Sequence, residues 1–161
     1  MTRRASTAGP GWIAGAALDP WLVVTDGLES ALFGYATRHP GTGGLAWTLS
    51  TPVRHLDLAR GRATTASGRR YDLGRRLELP DLPDAEARIS FAVLVCPLIG
   101  IDPSVHLGAV DPQLAADWVR ACKIARHLGV DPPVREAASV ARFLDRHADR
   151  YAAVLCAKLA P

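Results

Sequence analysis

Four Asp-Pro pairs, Asp19-Pro20, Asp102-Pro103, Asp111-Pro112 and Asp131-Pro132, limit where helices can run in this chain. Proline has no backbone N–H and its ring clashes with the preceding turn. It is therefore excluded from helix interiors but suits the first helical position. An aspartate just before it can accept hydrogen bonds from the free N–H groups of the first turn. At least three of the four pairs therefore read as helix starts.

From these starts the apolar spacing predicts about four helices. Trp21, Val24, Leu28, Leu32 and Tyr35 recur every three or four residues, which predicts a helix over 20–38 ended by His39-Pro40-Gly41, with Gly27 and Gly34 marking close packing. A proline-containing connector, 77–83, leads to the uniformly apolar run Ile89–Cys96. That run reads as a buried central helix capped by Asp81 or Asp84, with a buried strand as the alternative. Leu114, Trp118, Cys122, Ala125 and Leu128 form one stripe of a helix over Pro112–Leu128, with Gly129 placed for a left-handed cap. The final helix is expected from about Pro133 to Leu159. Its seam of Val134, Ala137, Ala141, Leu144, Ala148, Tyr151 and Leu155 would pack on the preceding helix as an antiparallel hairpin.

Between the first two helices, β-branched and aromatic residues alternate with Gly-containing turns at Arg60-Gly61 and Ser67-Gly68. This predicts three antiparallel strands, about 45–58, 62–66 and 69–73, with Pro52 bending the first or placing it at an edge. The expected fold class is α+β: mainly helical, with a small three-stranded β-meander at roughly 45–74. All 161 residues read as one domain, with 1–18 irregular and 84–159 forming the helical part.

A chain with 48% hydrophobic and 22% charged residues can bury a core without disulfides or metals. Cys96, Cys122 and Cys156 are widely spaced and form no C-x-x-C pair. They read as small buried thiols of a reducing compartment, so a cytoplasmic location is expected. The apolar run Ile89–Ile101 holds Pro97 and is too short to span a bilayer as a helix, and no membrane association is expected. Arg3-Arg4 is not followed by a twin-arginine pattern, and Asp19-Pro20 breaks the apolar stretch after it.

Net charge is +3 and the isoelectric point is near 9.0. Arginine dominates, with 17 residues against Lys123 and Lys158. Seven arginines, Arg54, Arg60, Arg62, Arg69, Arg70, Arg75 and Arg76, fall within 23 residues around the meander, with Tyr71 among them. Guanidinium presents a planar fork of donors that matches carboxylate or phosphate. These eight residues are the predicted partner-binding set, facing an acidic protein surface or a nucleic acid. Glu78, Asp81, Asp84 and Glu86 follow at once and could fold back to neutralise part of this charge.

Ile124-Ala125-Arg126-His127-Leu128-Gly129-Val130 resembles the first helix and turn of bacterial helix-turn-helix regulators. The resemblance implies DNA contact through 124–142, by Arg126, Arg135, Ser139 and Arg142. The second half departs from the pattern: Arg135 stands where the family buries an aliphatic residue, and Pro132-Pro133 replaces the polar helix start. Arg142, Arg146 and Arg150 share one face of the last helix but can pair with Asp145 and Asp149. The segment 65–74 resembles stretches of small bacterial proteins, some from mobile elements, and implies no activity.

The five histidines show no metal-ligand spacing, and no nucleophile elbow, P-loop or dinucleotide fingerprint is present. Gly41-Thr42-Gly43-Gly44 lacks the lysine and following helix of a phosphate cradle and reads as a loop. No cofactor, metal or catalytic residue is assigned. The resulting expectation is a non-enzymatic binding protein, a small adaptor or inhibitor such as mobile elements carry, that docks a basic hairpin on an acidic partner. The alternatives are a helix-turn-helix regulator and an enzyme whose site the sequence does not mark.

Overall fold

The segment expected to form the first helix is instead a β-hairpin, and this changes the architecture. In the computed structural model, which describes residues 12–161, strands β1 (Ala16–Thr25) and β2 (Ser30–Arg38) pair antiparallel. Asp26 and Gly27 make the turn. Asp26 Oδ1 accepts from the N–H groups of Leu28 and Glu29 at 2.9 and 2.8 Å, and Gly27 adopts φ +96°, which a side chain would strain. Leu28, assigned to the apolar stripe of a helix, sits at the turn, 94% exposed. The spacing misled because both faces of this hairpin are covered. A strand buried on both sides loses the period-two alternation that distinguishes it from a helix.

Four further strands complete one mixed sheet: β3 (Ala46–Leu49), β4 (Val53–Asp57), β5 (Arg62–Thr65) and β6 (Arg70–Leu73), in the order β3-β2-β1-β6-β5-β4. The segment expected to form a three-stranded meander therefore supplies four strands of a six-stranded sheet. Its predicted first strand is two strands broken at Ser50–Pro52, and β6 pairs parallel with β1. Asp19-Pro20 starts no helix. It lies in β1 at an irregularity in the ladder, a place suited to a residue with no N–H to donate. There the Asp19 carboxylate accepts from the Arg75 N–H.

The two edge strands, β3 and β4, are joined by only three residues. Such a link spans at most about 14 Å, whereas the edges of a flat six-stranded sheet lie about 24 Å apart. The sheet must therefore curl into a partial barrel. Arg54 on β4 reaches Glu29 in the β1–β2 turn at 3.2 Å across the gap. Leu18, Trp21, Leu32, Ala36, Ala63 and Tyr71 fill the inside of the curl. A second core forms where β1–β3 meet the helices, through Leu22, Val24, Phe33 and Trp47. Phe33 stacks on Trp47 and meets Phe91 edge-on, with ring centroids 5.2 and 5.4 Å apart.

A short 3-10 turn at Leu79–Asp81 precedes five helices: α1 (Ala85–Leu94), α2 (Cys96–Ile99), α3 (Ser104–Leu107), α4 (Pro112–Leu128) and α5 (Ala137–Leu159). The apolar run 89–96 is helical, and Asp84 caps α1 by accepting from the Ala87 N–H at 2.8 Å. α4 has the expected bounds. Asp111 accepts from the Leu114 N–H, and Gly129, at φ +65°, donates back to the carbonyls of Ala125 and Arg126. Cys96 and Cys122 are buried as expected, but Cys156 is exposed on α5.

α5 begins at Ala137 rather than Pro133, and it does not form an antiparallel hairpin with α4. The Trp118 indole, early on α4, donates to the Pro133 carbonyl at 3.1 Å, whereas His127, late on α4, meets Tyr151 and Lys158, late on α5. The segment 130–136 therefore runs back along α4, and the two helices follow the same direction across their contact. Pro132-Pro133 favours this extended return because a proline disfavours helix in the residue before it. Among the described residues, no helix is long and apolar enough to cross a membrane.

Candidate functional site

The curl of the sheet divides the predicted partner-binding set into inward and outward residues. Tyr71 alternates inward on β6 and is 3% exposed, so its ring belongs to the barrel interior and is not offered to a partner. Arg62 and Arg70 point outward on β5 and β6, where Arg62 lies opposite Asp72 and Thr64 opposite Arg70. Trp12, just ahead of β1, covers this face. The Arg62 and Arg70 guanidinia lie 5.0 and 5.4 Å from its ring centroid, and its indole donates to Asp72 Oδ1 at 3.3 Å. Arg38 approaches the other Asp72 oxygen at 3.6 Å.

Arg69 and Arg70 also border an open concavity of about 480 Å³ with Ile13, Gly15, Ser67 and Gly68. Beside it, burial lowers the His39 imidazole pKa, and Arg69 and Lys123 reinforce the shift. The patch thus gathers three guanidinia, Arg38, Arg62 and Arg70, around Trp12 and Asp72, the one carboxylate there among the described residues, while Arg69 borders the adjoining concavity beside His39. The remaining predicted residues lie elsewhere. Arg54 pairs with Glu29, and Arg60 with Asp57 at 3.1 Å. The Asp57 carboxyl is held below its ordinary range, first by the Arg60 backbone N–H and then by its guanidinium. Arg75 and Arg76 follow β6, with Arg76 stacked 5.6 Å from the buried Trp21 ring. Sequence inspection missed Trp12 and Arg38, which neighbour the hairpin only because β1 inserts between β2 and β6.

The acidic connector does not neutralise this face. Glu86 instead pairs through both carboxylate oxygens with Arg126 of α4, one bond measuring 2.8 Å. Arg126 Nε donates to the Leu45 carbonyl at 3.1 Å, and its guanidinium lies 5.4 Å from the Tyr35 ring centroid. Arg126, assigned by the helix-turn-helix resemblance to DNA, is thereby committed to joining α1, α4 and the β2–β3 loop. Arg135 stacks 5.1 Å from the Trp118 ring centroid, and Ser139 accepts from Arg142. With 130–136 extended, these residues do not form the short turn and crossed second helix of that motif.

The histidines are spread over separate elements. His39 faces Tyr71, His106 faces Phe91 on the helical side, His127 faces Tyr151, and His55 is exposed on β4. Among the described residues no three His, Cys, Asp or Glu side chains converge as a metal site. The Gly41–Gly44 loop joins β2 to β3, and the His127 imidazole bonds the Gly44 carbonyl at 3.0 Å. Burial pushes the Cys122 thiol up to about 12, far from the thiolate range a nucleophile needs.

Comparison of the chain with protein-family models, curated proteins and solved structures gives no match.

Proposed function

We propose that this is a non-enzymatic binding protein that docks the outer β5–β6 face on an acidic protein surface. The observation that carries the reading is the Trp12-centred patch, in which Arg62 and Arg70 lie against one indole and, among the described residues, the Asp72 carboxylate is set among three guanidinia, with Arg38 as the third. Stacking restricts guanidinium motion before a partner arrives, so less side-chain entropy is lost on binding. An acidic protein is favoured over nucleic acid because Trp12, the aromatic on this face, is already covered by arginines and so not open to a base. A role as a small adaptor or inhibitor is consistent with such a face.

The test is affinity recovery of partners from the native cell, with and without nuclease, by the full chain and by an Arg62→Ala/Arg69→Ala/Arg70→Ala variant whose folding is checked by circular dichroism. Recovery of an acidic protein that resists nuclease, weakens with salt and is lost in the variant supports the proposal. Undiminished recovery by the variant refutes it, and recovery abolished by nuclease replaces it with nucleic-acid binding.

A further inference from the structure

On the opposite side of the molecule from the curl's interior, β3, α1 and α4 enclose a cleft of about 240 Å³. Its walls are mainly apolar, with Trp47 from β3, Val93 from α1 and Val119 from α4. Two features distinguish it from a simple packing defect. Ser90 of α1, which lines the cleft, is fully buried, yet its Oγ has no hydrogen-bond partner among the described residues. Buried hydroxyls are nearly always satisfied, so an orphan in the wall of a cavity marks a surface that internal packing has not completed. In addition, Arg120 and Lys123 border the same cleft from one face of α4, and neither belongs to an ion pair among the described residues.

We propose that this cleft binds a small amphipathic carboxylate, its apolar body against Trp47, Val93 and Val119 and its carboxylate on Arg120 and Lys123. The size sets the class. A dry cavity of about 150 Å³ holds benzene, so this cleft accommodates roughly ten non-hydrogen atoms, the size of an eight-carbon carboxylic acid. The charge sets the polarity: two unpaired cations at an apolar cleft favour a monoanion over a neutral lipid or a cation. Burial also lowers the Lys123 ammonium pKa, as expected of a cation that lacks a partner in a half-buried position.

The site is independent of the β5–β6 face, and the two readings fail separately. The experiment is ¹H–¹⁵N NMR titration of the full chain with octanoate, with octanol as the neutral counterpart. Saturable shifts are expected at the Trp47 indole, Ser90 and Lys123, with a Kd on the order of 0.1–1 mM for so small a ligand. Lys123→Gln should weaken binding about tenfold, the loss of one charge-assisted contact, and octanol, which loses both, should bind more weakly still. The Arg62→Ala/Arg69→Ala/Arg70→Ala variant should bind octanoate like the parent. Absence of saturable octanoate shifts, equal binding of octanol, or unchanged affinity in Lys123→Gln would each overturn the proposal.

Discussion

Replacing Arg126 by alanine tests whether this residue holds the fold together or serves a ligand. Its guanidinium makes a two-oxygen pair with Glu86, donates to the Leu45 carbonyl and lies against Tyr35. Truncation leaves the Glu86 carboxylate, 15% exposed, without a counter-charge. Breaking a fully buried pair costs about 3–5 kcal/mol. The Arg126 side chain keeps 32% of its exposure, so water can reach part of the vacated space and the expected loss is about 2–3 kcal/mol. In a domain of this size that lowers Tm by about 5–10 °C. Burial already raises the Glu86 carboxyl pKa despite the opposing pull of Arg126. Without Arg126 the carboxyl takes up a proton more readily, so the loss should be smaller at pH 5 than at pH 8. The assay is urea unfolding at both pH values for Arg126→Ala, Glu86→Gln and the double variant. The double variant should be more stable than the sum of the single losses predicts, because it leaves no unpaired charge. A loss below about 0.5 kcal/mol, or strict additivity, would refute a structural role for this pair.

Two further perturbations follow from the geometry. A Cβ added at Gly34 would lie 2.7 Å from the Pro20 carbonyl oxygen, so Gly34→Ala must displace backbone at the β1 irregularity. It should cost about 1–3 kcal/mol by urea unfolding, and a neutral result would mean that β1 and β2 pair differently. The second concerns mild acid. His127 accepts from the Lys158 ammonium at Nδ1, since an ammonium can only donate, which leaves Nε2–H for the Gly44 carbonyl. Both His39 and His127 have pKa values lowered from 6.5, first by burial, with nearby cations adding to the shift and, at His127, the Gly44 hydrogen bond opposing it. A depressed folded pKa means that the unfolded chain takes the proton first. The stability these groups contribute is complete above about 6.5 and declines as pH falls through their folded values. Urea unfolding between pH 7.5 and 5 should show this decline, and His39→Gln/His127→Gln should flatten it. A decline left unchanged in the double variant would refute the assignment.

The sequence by itself determined the elements whose signals are local. Asp111-Pro112 and Gly129 satisfy the ends of α4 with their own side chain or backbone, so its bounds could be read without knowing its neighbours. The same holds for the turns of the β4–β6 hairpins, whereas the choice of Asp84 over Asp81 as cap and of helix over strand for the apolar run after it is left open by the sequence and decided by the fold. The Asp26-Gly27 turn is equally local, but in the sequence Gly27 reads as a mark of close packing within a helix. Only the tertiary structure decided what depended on distant segments meeting. β1 and β2 read as a helix because the barrel interior covers one face and α1 the other, which removed the alternation a strand shows when one face is wet. The direction of α5 followed from Trp118 holding the returning segment at Pro133. The arginines were visible from the start, but their roles depended on the fold: Arg126 was committed inward to Glu86, while Arg62, Arg69 and Arg70 were gathered with Arg38 and Trp12 by the insertion of β1 between β2 and β6.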